Sequence, residues 1–449
     1  MNEATSNNDP ATIAPSAASR SASRPRIVVV GAGFGGMAAV KALADCDADV
    51  TLIDRTNHHL FQPLLYQVAT AALSPADIAT ASRVLLRHQG NAKVLMSEVS
   101  GVDTAQRAVQ LVAGADVPYD YLVLATGAAY SFFGNDQWAR HTRVLKTLDD
   151  ALAIRTQLLA AFELAEQSSD PETIRRLLTF VVIGGGPTGV EMAGTIAELA
   201  RTTLAMDFKN IDPRLARIVL CEAGHRVLSA FPDKLSAYAR GALEDLGIEV
   251  MLGQRVTEID GEGLVVGGER IATTNILWCA GTEARPAARW LGAEAAGNRA
   301  VKVLPDCSVP GHQEIFAIGD VSSYADASGK PLPGLAAVAK QQGHHVGLLL
   351  TARIAGTAPP PPFRYRDLGT MAVIGRSRAI ALLGGVQMTG FIAWLSWSLV
   401  HLMLLVDFRS RLMVYMNWSW AWFTYGRGAR LLAAAPTTVE GDSSSPGFR

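Results

Sequence analysis

Short apolar runs that lead directly into glycine-rich turns alternate with helical stretches along most of the chain. Residues 27–30 form a β-branched apolar run, long enough for one buried parallel strand, and the sequence GAGFGG follows at 31–36. Residues 37–44 then predict a helix, and residues 50–53 predict a second strand that ends in Asp54. This order of strand, glycines, helix, strand and acid predicts an α/β fold with a parallel sheet.

The glycines of this first turn have the spacing of a dinucleotide-binding motif. Gly31 allows the tight turn, Gly33 lets the backbone approach a pyrophosphate, and Gly36 lets the helix pack on the strand. The N-terminus of the helix presents free N–H groups and partial positive charge to the phosphates. Asp54 stands where a carboxylate accepts hydrogen bonds from a ribose. The stretch therefore predicts a dinucleotide site.

The same pattern recurs later in the chain. Residues 178–183 are apolar, residues 184–189 have the sequence GGGPTG, and a second strand over 217–222 ends in Glu222. A carboxylate at that position pairs with a free 2′-hydroxyl and repels a 2′-phosphate, which favours NADH over NADPH. Arg226, four residues further on, would weaken that preference.

A further apolar strand that ends in a small-residue turn also occurs twice. Gly127 follows Gly31 by 96 positions, and Gly281 follows Gly184 by 97. Two dinucleotide folds of one plan therefore lie in tandem. Such a pair makes sense where two different dinucleotides must meet, which points to a flavin enzyme reduced by a nicotinamide.

Three more stretches carry candidate chemistry. Residues 315–320 predict a strand that returns to the first sheet and ends in Asp320, where a carboxylate would hold the ribityl chain of a flavin. A proline and small residues at 333–339 predict a helix start close to the flavin ring, and Gln341 follows it, either reaching substrate or only solvated. Glu191, in the first turn after the second glycine motif, either complements the helix dipole or lines the gap between nicotinamide and flavin.

Metal binding and thiol chemistry find little support in the sequence. His58 and His59 are adjacent, so on a strand they point to opposite faces, and packing or backbone hydrogen bonding near the nucleotide is the better interpretation. The four cysteines form no C-x-x-C or zinc pattern, which favours a reduced compartment and no disulfide reductase chemistry. A formal net charge of −1 gives no support for nucleic-acid binding.

The C-terminal region carries two apolar stretches, residues 391–406 and 412–423, and five of the eight tryptophans. The longer stretch would make a helix of about 24 Å, short of the roughly 30 Å hydrocarbon core of a bilayer. A transmembrane hairpin is disfavoured by this length, and a buried core or dimer hairpin stays open. Tryptophans and flanking arginines favour docking in the membrane interface.

These motifs resemble those of the type II NADH dehydrogenases, within the flavoproteins that have two dinucleotide-binding domains. The resemblance is carried by GAGFGG, by residues 57–67, by GGPTGVE at 185–191 and by the Trp- and Arg-rich C-terminal region. It implies a non-proton-pumping NADH:quinone oxidoreductase of the respiratory chain, with one non-covalent FAD. It also implies peripheral attachment to the cytoplasmic face of the bacterial inner membrane, and a homodimer. The family usually has Ala-Gln at the flavin, whereas this chain has Ala336-Ala337 and then Gln341.

The resemblance and the motifs together assign the site residues and domains. Glu191 and Gln341 are the predicted catalytic residues, and no metal ligands are predicted. The predicted FAD contacts are Gly31, Gly33, Phe34, Gly35, Gly36, Asp54, Arg55, His59, Ala125, Thr126, Gly127, Asp320, Ala336, Ala337 and Val338. The predicted NADH contacts are Gly184, Gly186, Pro187, Thr188, Gly189, Glu191, Glu222, Ala280 and Gly281. The predicted domains are disordered tails at 1–25 and 435–449, an FAD-binding domain at 26–146 and 300–385, an NADH-binding domain at 147–299, and membrane-associating helices at 386–434.

Two alternatives remain open at this point. The first is another flavin oxidoreductase on the same fold, such as a sulfide:quinone or ferredoxin reductase. Sulfide chemistry would need cysteines near the flavin, for which only Cys279 and Cys307 are candidates. The second is a non-enzymatic, NADH-sensing flavoprotein that signals through a partner.

Overall fold

Two mainly parallel sheets with the same internal strand order form the centre of the molecule. The computed structural model describes residues 24–326, 329–424 and 426–432, so most of the two predicted tails lies outside the described residues. The first sheet contains, in spatial order, Ser308–Val309, His312–Ala317, Tyr121–Leu124, Arg26–Val30, Asp49–Asp54 and Ala92–Met96. The second sheet contains Glu249–Leu252, Arg217–Glu222, Thr179–Ile183 and Asn275–Trp278. In each, the strand before the glycine turn lies between the strand that ends in the acid and the later repeat strand.

Smaller antiparallel sheets and hairpins surround these two sheets. They comprise Val99–Asp103, Ala108–Leu111 and Val117–Pro118; Val256–Asp260, Gly263–Val266 and Glu269–Ala272; Thr370–Gly375, Arg378–Leu383 and Val386–Thr389; and the pairs His58–Leu60 with Ala79–Ala81 and Ala128–Tyr130 with Thr282–Ala284. A short parallel pair joins Val301–Lys302 to Ser322–Ser323.

The helices range from single turns to twenty residues. The α-helices are Phe34–Ala42, Leu65–Ala69, Pro75–Ile78, Ser82–Leu86, Leu148–Gln167, Pro171–Leu177, Pro187–Glu198, Asp233–Asp245, Ala287–Leu291, Ala336–Ala355, Gly390–Leu404 and Phe408–Thr424. Short 3₁₀ turns lie at Gln62–Leu64, Asp136–His141, Pro213–Leu215 and Gly319–Val321, and a π-helical turn lies at Leu199–Thr203.

The strand His312–Ala317 does return to the first sheet, where it pairs in parallel with Tyr121–Leu124. The helix that follows it, Ala336–Ala355, packs closely on Phe34–Ala42. A Cβ at Gly343 would lie 2.1 Å from the carbonyl oxygen of Gly35, so only glycine permits this approach. The segment after residue 300 therefore covers the first glycine turn.

The hairpin that begins at Thr370–Gly375 lies against the second fold, although the predicted FAD domain extends to residue 385. Its first strand packs on the helix Pro187–Glu198, where a Cβ at Gly194 would lie 1.7 Å from the carbonyl oxygen of Ile374. Its apolar side chains join the same buried cluster as that helix. The sequence pattern carries no signal for this, because a β-hairpin shows one apolar face without showing which surface covers it.

The two C-terminal helices use one face to pack on the body of the protein. Ala393, Trp397 and Val414 are fully buried there, and the Nε1–H of Trp418 donates a hydrogen bond to Oε1 of Gln67 at 2.7 Å. Within the described residues, no helix is both long enough and apolar enough to cross a bilayer.

Several arginines and tryptophans of this region contact the body of the protein, so they are not free to form the interfacial belt that the sequence suggests, whereas Trp420 and Arg409 remain exposed. Arg427 forms a buried ion pair with Glu198 at 3.3 Å, and Arg430 pairs with Asp207. The guanidinium of Arg376 lies 4.3 Å from the centre of the Trp422 ring. These contacts hold the C-terminal segment in place, because pulling it away would leave a buried charge without its partner.

Candidate functional site

The first glycine turn has the backbone geometry that its sequence predicts. Gly31 has φ +106°, and its N–H donates to the carbonyl oxygen of Ile53 at 2.7 Å. A Cβ at Gly36 would lie 1.8 Å from the carbonyl oxygen of Gly31. The helix therefore begins directly on the turn, and its first N–H groups face the space above Gly33, where a Cβ would meet nothing within 4 Å.

The second glycine turn repeats each of these features. Gly184 has φ +110°, and its N–H donates to the carbonyl oxygen of Cys221 at 2.8 Å. A Cβ at Gly189 would lie 1.8 Å from the carbonyl oxygen of Gly184, and a Cβ at Gly186 would meet nothing within 4 Å. Both turns thus leave an open cradle that fits the phosphates of a dinucleotide.

The acids at the ends of the second strands brace these turns. Asp54 accepts a hydrogen bond from the N–H of Ala32 at 2.6 Å, and Glu222 accepts one from the N–H of Gly185 at 2.6 Å. Each carboxylate retains lone pairs for ribose hydroxyls, since a carboxylate accepts about four hydrogen bonds. The two copies are therefore equivalent in chemistry as well as in fold.

One cavity of about 1870 Å³ runs from the first glycine turn to the C-terminal helices. The predicted FAD contacts that line it are Gly31, Gly33, Phe34, Gly35, Asp54, Arg55, His59, Ala125, Thr126, Gly127, Asp320, Ala336 and Ala337. The predicted NADH and catalytic residues that line it are Pro187, Thr188, Glu191 and Gln341.

The remaining predicted contacts lie outside this cavity: Gly36, Val338, Gly184, Gly186, Gly189, Glu222, Ala280 and Gly281. Gly36 and Val338 are buried behind its wall. Of the other six, Gly184, Gly186 and Gly189 belong to the second turn, and the cavity meets only the start of the helix that follows it, at Pro187, Thr188 and Glu191.

Arg285 and Trp290 line the cavity beside Asp54 and Arg55, and the sequence analysis missed both. They follow the last repeat strand of the second fold, so they reach the first nucleotide site from the other domain. Burial and the nearby Arg55 lower the pKa of Arg285, so two guanidinium groups lie close to each other in the cavity lining. No local motif signals such a contribution.

His59 supports the first glycine turn. Its Nδ1–H donates to the carbonyl oxygen of Ala32 at 2.7 Å, and its ring meets the Phe34 ring edge-on, with 5.3 Å between centroids. Burial lowers the pKa of His59, so its imidazole stays neutral. No group of three potential metal ligands occurs in the described part of the chain.

Glu191 lies at the junction of the two folds on the helix Pro187–Glu198. It is the fifth residue of that helix, so it falls just beyond the first turn in which the sequence pattern places it. Burial raises its pKa to about 8, although a hydrogen bond from the backbone of Val373 opposes this shift. The carboxyl group is therefore largely protonated at neutral pH and able to donate a proton. Desolvation and the nearby Glu191 raise the pKa of the Cys279 thiol to about 12, so no reactive thiolate forms there.

The amide of Gln341 is held by the backbone of Arg366. It accepts from the Arg366 N–H and donates to the Arg366 carbonyl oxygen, both at 3.0 Å. The neighbouring Gln342 is buried, and its Oε1 accepts from the N–H of Gly319 at 2.7 Å. Gln342 thus fixes the turn before Asp320, while Gln341 fixes the loop over the cavity.

The far wall of the cavity is formed by the C-terminal helices. Val400, His401, Met403 and Leu404 line it from Gly390–Leu404. The Phe61 ring bridges the two walls, with centroid distances of 5.9 Å to Phe34 and 6.4 Å to His401. An apolar ligand that enters from the C-terminal side would therefore reach the first nucleotide site through apolar and aromatic surroundings.

Comparisons with known proteins agree with this arrangement. The family model of the pyridine nucleotide-disulphide oxidoreductases matches residues 25–343. The type II NADH:quinone oxidoreductases Ndh and NdhA of Mycobacterium tuberculosis are 42% and 41% identical to this chain over 421 residues, covering 90% of it and 89% and 88% of their own lengths. The structure of NDH2 from Plasmodium falciparum in complex with NADH has the same fold, with a TM-score of 0.84 at 21% identity, and covers 90% of this chain and 99% of that one. The chain therefore belongs to the pyridine nucleotide-disulphide oxidoreductase family and, within it, to the type II NADH:quinone oxidoreductases.

Proposed function

We propose that the protein oxidises NADH at the second glycine turn and reduces a membrane quinone in the cavity below the C-terminal helices, with FAD, which the first glycine turn would hold, as its cofactor. The observation that carries this proposal is one continuous cavity, which is lined by the first glycine turn, by Glu191 and by His401. The direct test is optical. The purified protein is expected to be yellow, to bleach on addition of NADH and to recover its colour with quinone.

The residues supply position and protons, whereas FAD supplies the hydride chemistry when it is bound. The cradle at Gly33 and the N-terminus of Phe34–Ala42 would hold the FAD phosphates, and Asp54 would accept hydrogen bonds from its adenosine ribose. Ala336 and Ala337 allow the ring system to approach the helix backbone. Glu191 holds a proton below about pH 8 for delivery to the reduced quinone oxygen.

NADH is the preferred nicotinamide, and its selection by Glu222 can be tested. Arg226 is paired with Asp233 and donates to the carbonyl oxygen of Ser229 at 2.9 Å, so it is turned towards its own loop. We expect kcat/KM for NADPH to be about 100-fold below that for NADH, because a carboxylate repels the 2′-phosphate. Glu222→Gln is expected to narrow that ratio to about tenfold, measured as flavin bleaching rates with each nucleotide. A ratio near one in the unchanged protein would contradict this assignment.

The exposed face of the C-terminal helices is proposed to dock on a lipid surface. Ile392, Leu399, Phe408 and Phe423 are 67%, 60%, 78% and 82% exposed, and Arg409 is exposed beside them. A contiguous apolar face of this kind is rare on a protein surface that meets only water. Since the cavity opens between these helices and the flavin site, a quinone could pass from the lipid into it.

Charge on this face is expected to abolish membrane binding without affecting the nucleotide sites. The double variant Ile392→Glu/Leu399→Glu is expected to lose at least about 90% of its flotation with anionic vesicles, because buried carboxylates cost several kcal/mol each. Val112→Glu is the matched control, since Val112 is 65% exposed and lies in the predicted FAD-binding domain, outside the C-terminal helices. Full flotation of the double variant would contradict docking, and an oligomer that dissociates only in this variant would assign the face to a second copy.

Two more specific expectations accompany this proposal. The resemblance implies attachment at the cytoplasmic face of the bacterial inner membrane, and it implies a homodimer. Protease treatment of inverted membrane vesicles tests the first, because the cytoplasmic face lies on their outside and a protein attached there should be digested. Sedimentation of the unchanged protein beside the double variant tests the second. A dimer of the unchanged protein supports it, and a dimer that only the variant loses places the interface on the apolar face.

A further inference from the structure

His401 is the one polar side chain that the helix Gly390–Leu404 contributes to the cavity wall. Its ring stacks on Trp397, with centroids 4.2 Å apart, and Phe61 covers its edge. This packing fixes the plane of the imidazole. The ring can therefore offer its free nitrogen in only one direction.

The hydrogen bond on the other side of the ring decides which nitrogen carries the proton. Nδ1 lies 2.8 Å from the carbonyl oxygen of Trp397, which can only accept, so Nδ1 is the N–H. Burial lowers the pKa of His401 to about 4, so the ring is neutral at physiological pH. Nε2 consequently presents a lone pair.

Nε2 is the ring nitrogen left for a ligand in the cavity that His401 lines. Within the described residues it has no hydrogen-bond partner, and it does not belong to the buried polar atoms that lack one. A quinone presents two carbonyl oxygens, which only accept hydrogen bonds. A quinol presents two hydroxyl groups, which donate. A fixed acceptor in the wall therefore distinguishes the two oxidation states of the same ring.

We propose that His401 is a specificity-determining residue that accepts a hydrogen bond from a hydroxyl of the quinol through Nε2. The contact rests on the proposed quinone site and adds to it a preference for the reduced, protonated ring. It forms only once the quinone oxygen has gained its proton. His401 thus favours completion of the reduction over return to the quinone.

The test is a comparison of binding to the flavin-loaded full-length protein under anaerobic conditions. Tryptophan fluorescence would report the Kd of menadiol for the dithionite-reduced protein and the Kd of menadione for the oxidised protein. His401→Leu is expected to raise the Kd of menadiol about fivefold, the factor for one neutral hydrogen bond, and to change that of menadione less than about twofold. His401→Gln, which can again present an acceptor oxygen, is expected to restore most of the menadiol affinity.

A second ligand keeps the test decisive if His401→Leu folds poorly. The dimethyl ether of menadiol cannot donate, so the unchanged protein is expected to bind it about fivefold more weakly than menadiol, and His401→Leu is expected to bind both alike. Ser398→Ala, on the same helix but with its hydroxyl bonded to the carbonyl oxygen of Trp394, is the matched control.

The outcomes separate this inference from the proposed function. Equal loss of menadiol and menadione affinity in His401→Leu, or equal binding of menadiol and its ether by the unchanged protein, would overturn the hydrogen bond alone. If NADH bleaches the flavin of the unchanged protein and menadione does not restore the colour, the quinone site itself is wrong and the inference falls with it.

Discussion

Glutamine in place of Glu191 is expected to slow quinone reduction about 100-fold at pH 7 and to remove the alkaline limb of its pH profile. Burial raises the Glu191 pKa to about 8, so the protonated donor is present below that pH and is lost as the pH rises through it. The unchanged protein should therefore lose turnover above pH 8. Glutamine cannot deliver a proton, so the residual rate of the variant should not depend on pH in this range.

Stopped-flow measurement of the two half-reactions checks this expectation. Flavin bleaching by NADH is expected to change less than about tenfold, whereas flavin re-oxidation by quinone carries the main loss. Glu163→Gln removes an exposed carboxyl group from Leu148–Gln167 and serves as the matched control. Unchanged re-oxidation across pH 6–9 in Glu191→Gln would remove Glu191 from proton delivery.

Alanine in place of Gly36 is expected to give a colourless, poorly folded protein. Its Cβ would lie 1.8 Å from the carbonyl oxygen of Gly31. Because that oxygen belongs to the main chain, neither it nor the new Cβ can move aside by a change of side-chain rotamer. The helix Phe34–Ala42 would have to move off the first sheet, which costs about 3 kcal/mol or more by comparison with other overpacked cores. Flavin content, from the absorbance ratio at 450 and 280 nm, is expected to fall to less than about one tenth.

Gly90→Ala is the control for this substitution, because a Cβ there meets nothing within 4 Å. It is expected to retain flavin and thermal stability. Normal flavin content in Gly36→Ala would show that the helix does not rest on the turn as described.

The local features of both nucleotide folds could be predicted from sequence because each is set by a few neighbouring residues. The glycines at 31 and 184 adopt the left-handed turns that their spacing indicates, and the acids at 54 and 222 reach back to those turns. The comparisons confirm the family, the α/β fold and NADH:quinone oxidoreduction with FAD and NADH. The individual contact residues and the domain boundaries stay predictions.

What the sequence could not show depends on contacts between distant segments. Arg285 reaches the first nucleotide site from the second fold, and the hairpin at Thr370–Gly375 packs on the helix of Glu191. The composition of the C-terminal region suggested a belt of tryptophans and arginines. Some of those side chains instead pair with the body of the protein, as Arg427 does with Glu198, because composition does not show which face of a helix a residue occupies.

The ion pair of Arg427 and Glu198 limits how a detergent-free form of this enzyme can be engineered. Shortening the chain to remove the apolar helices would also delete the guanidinium of Arg427 and leave the mostly buried carboxylate of Glu198 without its cation, on the helix that carries Glu191. Loss of turnover after such a truncation would then report a displaced helix rather than a missing anchor. Replacing the outward-facing apolar residues with polar ones, while keeping residues 426–432, would separate these two causes of lost turnover.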